Sequence, residues 1–262
     1  EFKEKTASIH ESYRGLFYKE DEIKGEDAIA LLSPEVTKEE TVERLNALGF
    51  KDPVIAGGNL TLLRTAATRA KLSARGRVIV EKLLPLFISS AVKAPDPDMA
   101  LGHLERFTAS VGVRTTFYSL LLENRLIIEE LLKLFGSSVF LSRALIERPE
   151  SLEMLLSKEL SIPYKRRAEF LTEFRHSEYT GYENALDALR QLKIQEIFRI
   201  GVNDLRGTLT LPQVSIQITF LAEAALNVSL KISSIELEKL YGAPHNARFC
   251  ILGMGRLGGG DL

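Results

Sequence analysis

Six apolar residues, Val214, Ile218, Leu221, Ala225, Val228 and Ile232, recur at alternating spacings of four and three. That spacing keeps one side of an α-helix apolar over about five turns. Such a seam cannot be left in water. It demands a neighbour lying along it at a shallow angle. Leu211-Pro212 opens the helix, since proline suits a first turn, and Gly242-Ala243-Pro244 closes it. The neighbour stands just upstream. Residues 182–205 carry Leu186, Leu189, Ile194, Ile197, Phe198, Val202 and Leu205 at helical spacing, and the turn between the two segments is short. The polar side of that segment interleaves Asp187, Arg190, Lys193, Glu196, Arg199 and Asp204. Glu196 and Arg199 are three apart and pair across one turn. As an exposed pair they contribute about 0.3–0.5 kcal/mol. The ridge reads as structural ion pairing, with support of a functional site from behind as the sharper alternative.

The same periodicity runs through most of the chain. Residues 1–24 read as a short amphipathic helix with Ile9, Tyr13, Leu16 and Phe17 on one side, and a linker follows from Gly25 to Pro34. Thr37 with Glu40 makes a capping box for a helix ending at Gly49. Asp52-Pro53 starts the next helix, which Gly57-Gly58 is expected to interrupt. Ser73 opens a longer helix with a kink or break expected at Pro85. Asp98 is the expected cap of the following one, which turns Leu101, Leu104, Phe107 and Val111 inward. Residues 115–135 form two helices or one bent one. The stretch from Leu126 to Phe135 is apolar almost all round, as suits the centre of a bundle. Gly136 ends it, Ser137 or Ser138 caps the next helix, and Pro149 breaks that one. Pro163 starts a helix with Phe170, Leu171 and Phe174 inward.

The C-terminal stretch differs. Residues 249–252, Phe-Cys-Ile-Leu, are strand formers in a run too short for a helix. Five glycines in eight residues follow: Gly253, Gly255, Gly258, Gly259 and Gly260. Glycine frees the backbone to take positive φ and lets a ligand come close. A strand emptying into such a loop groups backbone N–H donors, which is how phosphate is cradled. The spacing lacks the Gly-Lys-Ser/Thr of a P-loop. Gly253, Gly255 and Gly258 do match Gly-x-Gly-x-x-Gly, but that match is unspecific without a βαβ unit and a downstream acid.

Other chemistries find little support. The formal net charge of −1 gives no global field for nucleic acid or anionic membrane, so neither is an expected partner. No uninterrupted apolar run reaches the roughly 18 residues that span a bilayer. Cys250 is the single cysteine, which excludes a disulfide within the chain and fits a reducing cytoplasm. Its place in the apolar run makes it a packed small hydrophobe rather than a nucleophile. His10, His103, His176 and His245 show no metal-ligand spacing. No Gly-x-Ser-x-Gly elbow is present. Glu129 and Glu130 are adjacent on a helix and point apart. Lys165-Arg166-Arg167 reads as a solvated face rather than a phosphate patch.

The string from Ile251 to Leu262, ILGMGRLGGGDL, resembles the opening motif of the bacterial glutamine synthetase adenylyltransferases, which typically reads GMGKLGG, any residue, then EL. Arg256 stands for the usual Lys and Asp261 for the usual Glu. Residues 135–156, FGSSVFLSRALIERPESLEMLL, are similar to the same family, and so is the alternation of Gln195-Glu196, Arg199-Ile200 and Asp204-Leu205. Gly49 to Pro53 resembles the start of the second half of the two-domain enzyme, which carries adenylylation. The first half, which removes the adenylyl group, is the alternative.

The resemblance implies a mainly α, multi-helix bundle with a C-terminal strand and Gly-rich loop that begin a polymerase β-like nucleotidyltransferase domain. The boundaries read as N-terminal helix and linker over 1–36, helical bundle over 37–246 and start of the nucleotidyltransferase domain over 247–262. It further implies AMP transfer from ATP to a tyrosine of glutamine synthetase, with Mg²⁺ held by an Asp-x-Asp that follows the motif in the family. Gly253, Gly255, Arg256, Gly258 and Gly259 are the expected nucleotide-binding residues. Both ends of the chain read as cut, so the piece by itself is expected to be inactive, with no catalytic or metal-ligating residue of its own. The strand over 248–253 is expected to be exposed, disordered or paired with another molecule. The second class of function is a helical interaction scaffold for glutamine synthetase or the nitrogen-signalling protein PII.

Overall fold

The computed structural model describes residue 31 and residues 36–69, 73–156, 160, 162–176, 181–245, 249–260 and 262, with the backbone alone at 66–69, 156 and 175–176. The expected helix over 1–24 and its linker lie outside the described residues. Eleven α-helices are formed among the described residues. The fold is mainly α. It divides into two compact units, one ending at Glu150 and one beginning at Ser151. The division lies inside the stretch 37–246.

The first unit contains α1 (Lys38–Ala47), α2 (Pro53–Arg69), α3 (Ala74–Val92), α4 (Pro97–Val111), α5 (Thr115–Glu123), α6 (Arg125–Phe135) and α7 (Val139–Glu147). Most of the caps follow the sequence reading. Thr37 Oγ1 accepts the Glu40 N–H at 3.2 Å, and the Glu40 carboxylate accepts the Thr37 N–H at 3.1 Å. Asp52 caps α2 through the Ile55 N–H, Ser73 caps α3, and Ser138 caps α7. Residues 115–135 form two helices meeting at Asn124.

Three local expectations need correction. First, α2 runs through Gly57-Gly58 without a break. Ala56, Leu60 and Leu63 on either side are buried, and that burial outweighs the backbone entropy of two glycines. Second, of the kink or break expected at Pro85 the break does not occur: α3 is continuous there, with Leu83, Leu84, Phe87 and Ile88 buried on either side. Third, the cap of α4 is Asp96, which accepts the Met99 N–H at 3.0 Å. Asp98 instead accepts the backbone N–H groups of Lys51 and Asp52, at 2.7 and 3.0 Å, and so fastens the start of α2 to the start of α4. The Met99 N–H and the Lys51 ammonium hold the Asp96 carboxyl below its ordinary value.

Helix α4 packs on α2 and α6, and α3 packs on α6 and α5. Helix α6 is the most deeply embedded. Ile127, Ile128, Leu131, Leu132, Leu134 and Phe135 are buried, while Leu126 stays exposed. Gly136 follows the helix as its C-cap, and the position is held to glycine by packing. A Cβ there would lie 2.8 Å from Ala94 Cβ and 2.9 Å from the Asp96 carbonyl oxygen. His103 is buried and its Nδ1 lies 2.9 Å from the Phe135 carbonyl oxygen, a structural role. Tyr118 donates to the Gly112 carbonyl oxygen at 2.9 Å, and burial pushes its hydroxyl up to about 12.

A 3-10 stretch, Pro149–Leu156, carries the chain across the division. The second unit then contains α8 (Arg167–His176), α9 (Tyr182–Leu205), α10 (Leu211–Tyr241) and the short α11 (Gly255–Gly259). Helix α8 begins four residues after Pro163, the start expected from sequence. Helix α10 packs along α9, as the seam requires, and also against α8. Phe170, Phe174, Leu189, Ile200, Leu221, Val228 and Ile232 form the core of this unit. By length and composition α10 is apolar enough to cross a membrane, which the apolar-run reading did not anticipate. Its Gln217 and Thr219 are nonetheless buried among polar partners, and we read it as the central helix of the unit.

Candidate functional site

Two features of the second unit concentrate polar chemistry: a buried charge cluster and a cleft beside the glycine stretch. The cluster joins three helices. Lys165 Nζ donates to Glu196 and to Glu173, each at 2.8 Å. Arg199 Nε donates to Glu196 at 2.9 Å. The rest of the guanidinium donates to the carbonyl oxygens of Ile162 and Pro163 and to Gln217 Oε1, at 2.8–3.0 Å. Gln217 Oε1 also accepts the Lys165 N–H, and its amide donates back to the Lys165 carbonyl oxygen. The Arg199 guanidinium lies over the Phe170 ring at 5.6 Å from its centroid.

Lys165, Glu196, Arg199 and Gln217 are all buried. The expected exposed pair of Glu196 and Arg199 is therefore an interior one, and Lys165 is not on a solvated face. The physical reason is charge balance. Two cations and two carboxylates meet with their hydrogen bonds made, so the desolvation penalty is offset within the cluster. The arrangement locks α8, α9 and α10 together and leaves no buried charge free to bind a ligand.

The glycine stretch is a tight turn. Residues 249–254 form no strand, and no strand is present among the described residues to pair with them. Cys250 is exposed rather than packed. The turn proper folds into α11 rather than an open loop. Gly255 takes φ +61°, and Gly260 ends α11 at φ +75°. Gly258 is needed for a different reason. A Cβ on it would fall 2.5 Å from the Gly253 carbonyl oxygen. The Gly258 N–H points to the Met254 carbonyl oxygen at a long 3.5 Å. Downstream, the Leu262 backbone is gripped by α10. Its N–H donates to Thr219 Oγ1 at 3.2 Å, and its carbonyl oxygen accepts from Ser215 Oγ at 2.7 Å.

Between this turn and the helices lies a cleft of about 410 Å³. Ile251, Gly253, Leu257 and Gly258 form one wall. Glu223, Leu226, Asn227 and Leu230 of α10 form the other, and Arg167 at the start of α8 closes one side. Arg167 Nε donates to the Glu223 carboxylate in a short ion pair. Of the residues expected to bind nucleotide, Gly253 and Gly258 line the cleft. Gly255, Arg256 and Gly259 lie on α11 itself, exposed and outside that lining. Sequence reasoning missed Arg167, Glu223 and Asn227. Arg167 stood in the basic triplet, but nothing in the spacing linked it to position 258.

No group of three or more His, Cys, Asp or Glu side chains is placed to hold a metal ion among the described residues. These residues therefore do not make the Mg²⁺ site that the resemblance implies.

Comparison with known proteins bears on the same stretch. Residues 128–262 match the family model described as glutamate-ammonia ligase adenylyltransferase. A protein of Thioalkalivibrio sulfidiphilus called bifunctional glutamine synthetase adenylyltransferase/adenylyl-removing enzyme is 31% identical over 226 residues, which is 82% of this chain and 23% of that protein. Proteins with the same name from Nitrosococcus oceani and Pseudomonas aeruginosa are 28% and 27% identical, covering 86% and 90% of this chain and 24% and 25% of theirs. The chain thus spans about a quarter of the length of the curated relatives it matches. The family match takes in the charge cluster, the cleft and the glycine turn together, and on that match the chain belongs to the glutamate-ammonia ligase adenylyltransferase family.

Proposed function

We propose that this chain is part of an enzyme that transfers AMP from ATP to a tyrosine hydroxyl of glutamine synthetase. The observation that carries the reading is the glycine turn. At Gly258 its backbone passes so close to the Gly253 carbonyl oxygen that no side chain fits, and it opens onto a cleft rather than into the core. A turn of that kind brings backbone close to phosphate. Its part is to bind and orient the triphosphate, so that the α-phosphorus is presented for in-line attack and pyrophosphate leaves. Mg²⁺, when bound, would neutralise the phosphates. In the family an Asp-x-Asp that follows the glycine motif holds it, and on that resemblance we read the 262-residue chain alone as inactive in AMP transfer. The whole enzyme acts in the cytoplasm.

The test uses the enzyme of full family length with ATP labelled in its α-phosphate and glutamine synthetase as acceptor. Tyrosine-linked label is expected with the natural turn and is lost with Gly258→Val. Undiminished labelling by the variant would remove the turn from the mechanism. The relatives' names also include adenylyl removal, so the same assay run with adenylylated glutamine synthetase and phosphate decides between the two halves of the enzyme.

A second reading, an interaction scaffold, draws on α2, which exposes Val54, Ile55 and Leu62 along one side. Co-sedimentation of the 262-residue chain with glutamine synthetase or PII, abolished by Ile55→Glu, would favour it.

A further inference from the structure

Arg167 and Glu223 pair with each other at the edge of the cleft, although each stands on a helix with its own reasons for being there. We propose that this pair is a displaceable latch on a polyphosphate site: an entering triphosphate takes the Arg167 guanidinium from Glu223, so that Arg167 anchors the phosphate and Glu223 competes for it. The proposal rests on reading the glycine turn as a phosphate-binding element.

The geometry supports it in three ways. Among the described residues, Arg167 is the one cation in the lining of the cleft that also contains Gly253 and Gly258. At about 410 Å³ the space is of the size that takes a small-molecule ligand. The pair itself is weakly held. The Arg167 side chain is 56% exposed and that of Glu223 33%, and half-exposed pairs contribute little. Only Nε is engaged, so the terminal fork of the guanidinium meets no acceptor among the described residues. A planar fork with free N–H groups suits a phosphate oxygen pair better than it suits one carboxylate oxygen. Two buried cations of the same unit and the cation of the glycine turn stand apart from the cleft lining. Lys165 and Arg199 are buried with their donors committed, and Arg256 lies outside the lining. The exchange moves one cation between two anions and breaks no covalent bond.

The latch makes an unusual prediction, a gain of affinity on removing a charge from the protein. Inorganic triphosphate is titrated calorimetrically into the 262-residue chain without divalent metal, with circular dichroism confirming that each variant keeps its helices. Arg167→Gln is expected to weaken binding at least tenfold. Glu223→Gln is expected to tighten it three- to tenfold, which a damaged fold cannot do. The double variant should bind no better than Arg167→Gln alone. Unchanged or weaker binding by Glu223→Gln overturns the exchange. If Arg167→Gln binds like the natural chain while Gly258→Val loses binding, the latch is wrong and the glycine turn stands. If Gly258→Val binds normally and Arg167→Gln does not, Arg167 still anchors the phosphate but the turn is not the phosphate element, and the reading of the turn under the proposed function falls. A natural chain that takes up no triphosphate overturns both.

Discussion

Replacing Arg199 by methionine tests whether the buried charges hold the second unit together. Methionine is of similar length and apolar, so the volume is largely kept. What is lost is chemistry. Four hydrogen bonds disappear, to Glu196, the Ile162 and Pro163 carbonyl oxygens and Gln217, together with the contact to the Phe170 ring. Removing one partner of a buried ion pair costs about 3–5 kcal/mol, because the remaining charge is left in the interior. Glu196 keeps Lys165 at 2.8 Å, which draws the figure to the lower end. The two carbonyl oxygens lose a donor each, and burial without one costs about 1–3 kcal/mol per group. These losses overlap, and about 4 kcal/mol is expected in all. Urea unfolding followed by circular dichroism should show the transition of the second unit moving to lower urea, with that of the first unit in place. Adding Glu196→Met to Arg199→Met should give less destabilisation than the two single losses summed. A loss under about 1 kcal/mol for Arg199→Met would refute the reasoning, since the guanidinium would then not be holding these groups.

Other positions give sharper local tests. Gly58→Ala should raise the stability of the first unit by about 0.5–1 kcal/mol, since a Cβ there meets nothing within 4 Å in an intact helix; a lower melting temperature would contradict this. Gly136→Ala should lower the stability of the same unit by about 1–3 kcal/mol through contact with Ala94 and the Asp96 carbonyl oxygen, read by the same denaturation. Tyr118 ionises near 10 when unfolded and at about 12 when folded. Its contribution is therefore complete below pH 10 and is lost as pH rises through 12. In Tyr118→Phe the alkaline slope of stability between those values should shrink, while near neutral pH the loss of the bond to Gly112 should cost about 1 kcal/mol.

The helical architecture was legible in the chain because capping and periodicity are local. Thr37 with Glu40, Asp52 before Pro53 and the seam on α10 each need only a few neighbouring residues to act. The errors came where distant burial overrode local preference. Gly57-Gly58 and Pro85 are breakers by propensity, and flanking apolar side chains kept both helices whole. The same cause hid the charge cluster. Lys165, Glu196 and Arg199 look like surface residues on a helix until Gln217, some way along the chain, supplies the polar lining that lets them go inside. At the cleft, the glycines were legible from their density and from the family motif. Arg167 and Glu223 were not, because only the packing of α8 on α10 brings them opposite Gly258.

Helix α10 is pinned from opposite sides. Gln217 points into the charge cluster, while Ser215 and Thr219, one turn apart on the far side, hold the backbone of Leu262. A rod fixed at both flanks cannot roll about its own axis without tearing one of its moorings. Rolling α10 would therefore disturb the charge cluster and the hold on Leu262 together. The roll angle of α10 is thus set twice over, once by the buried charges and once by the chain at Leu262.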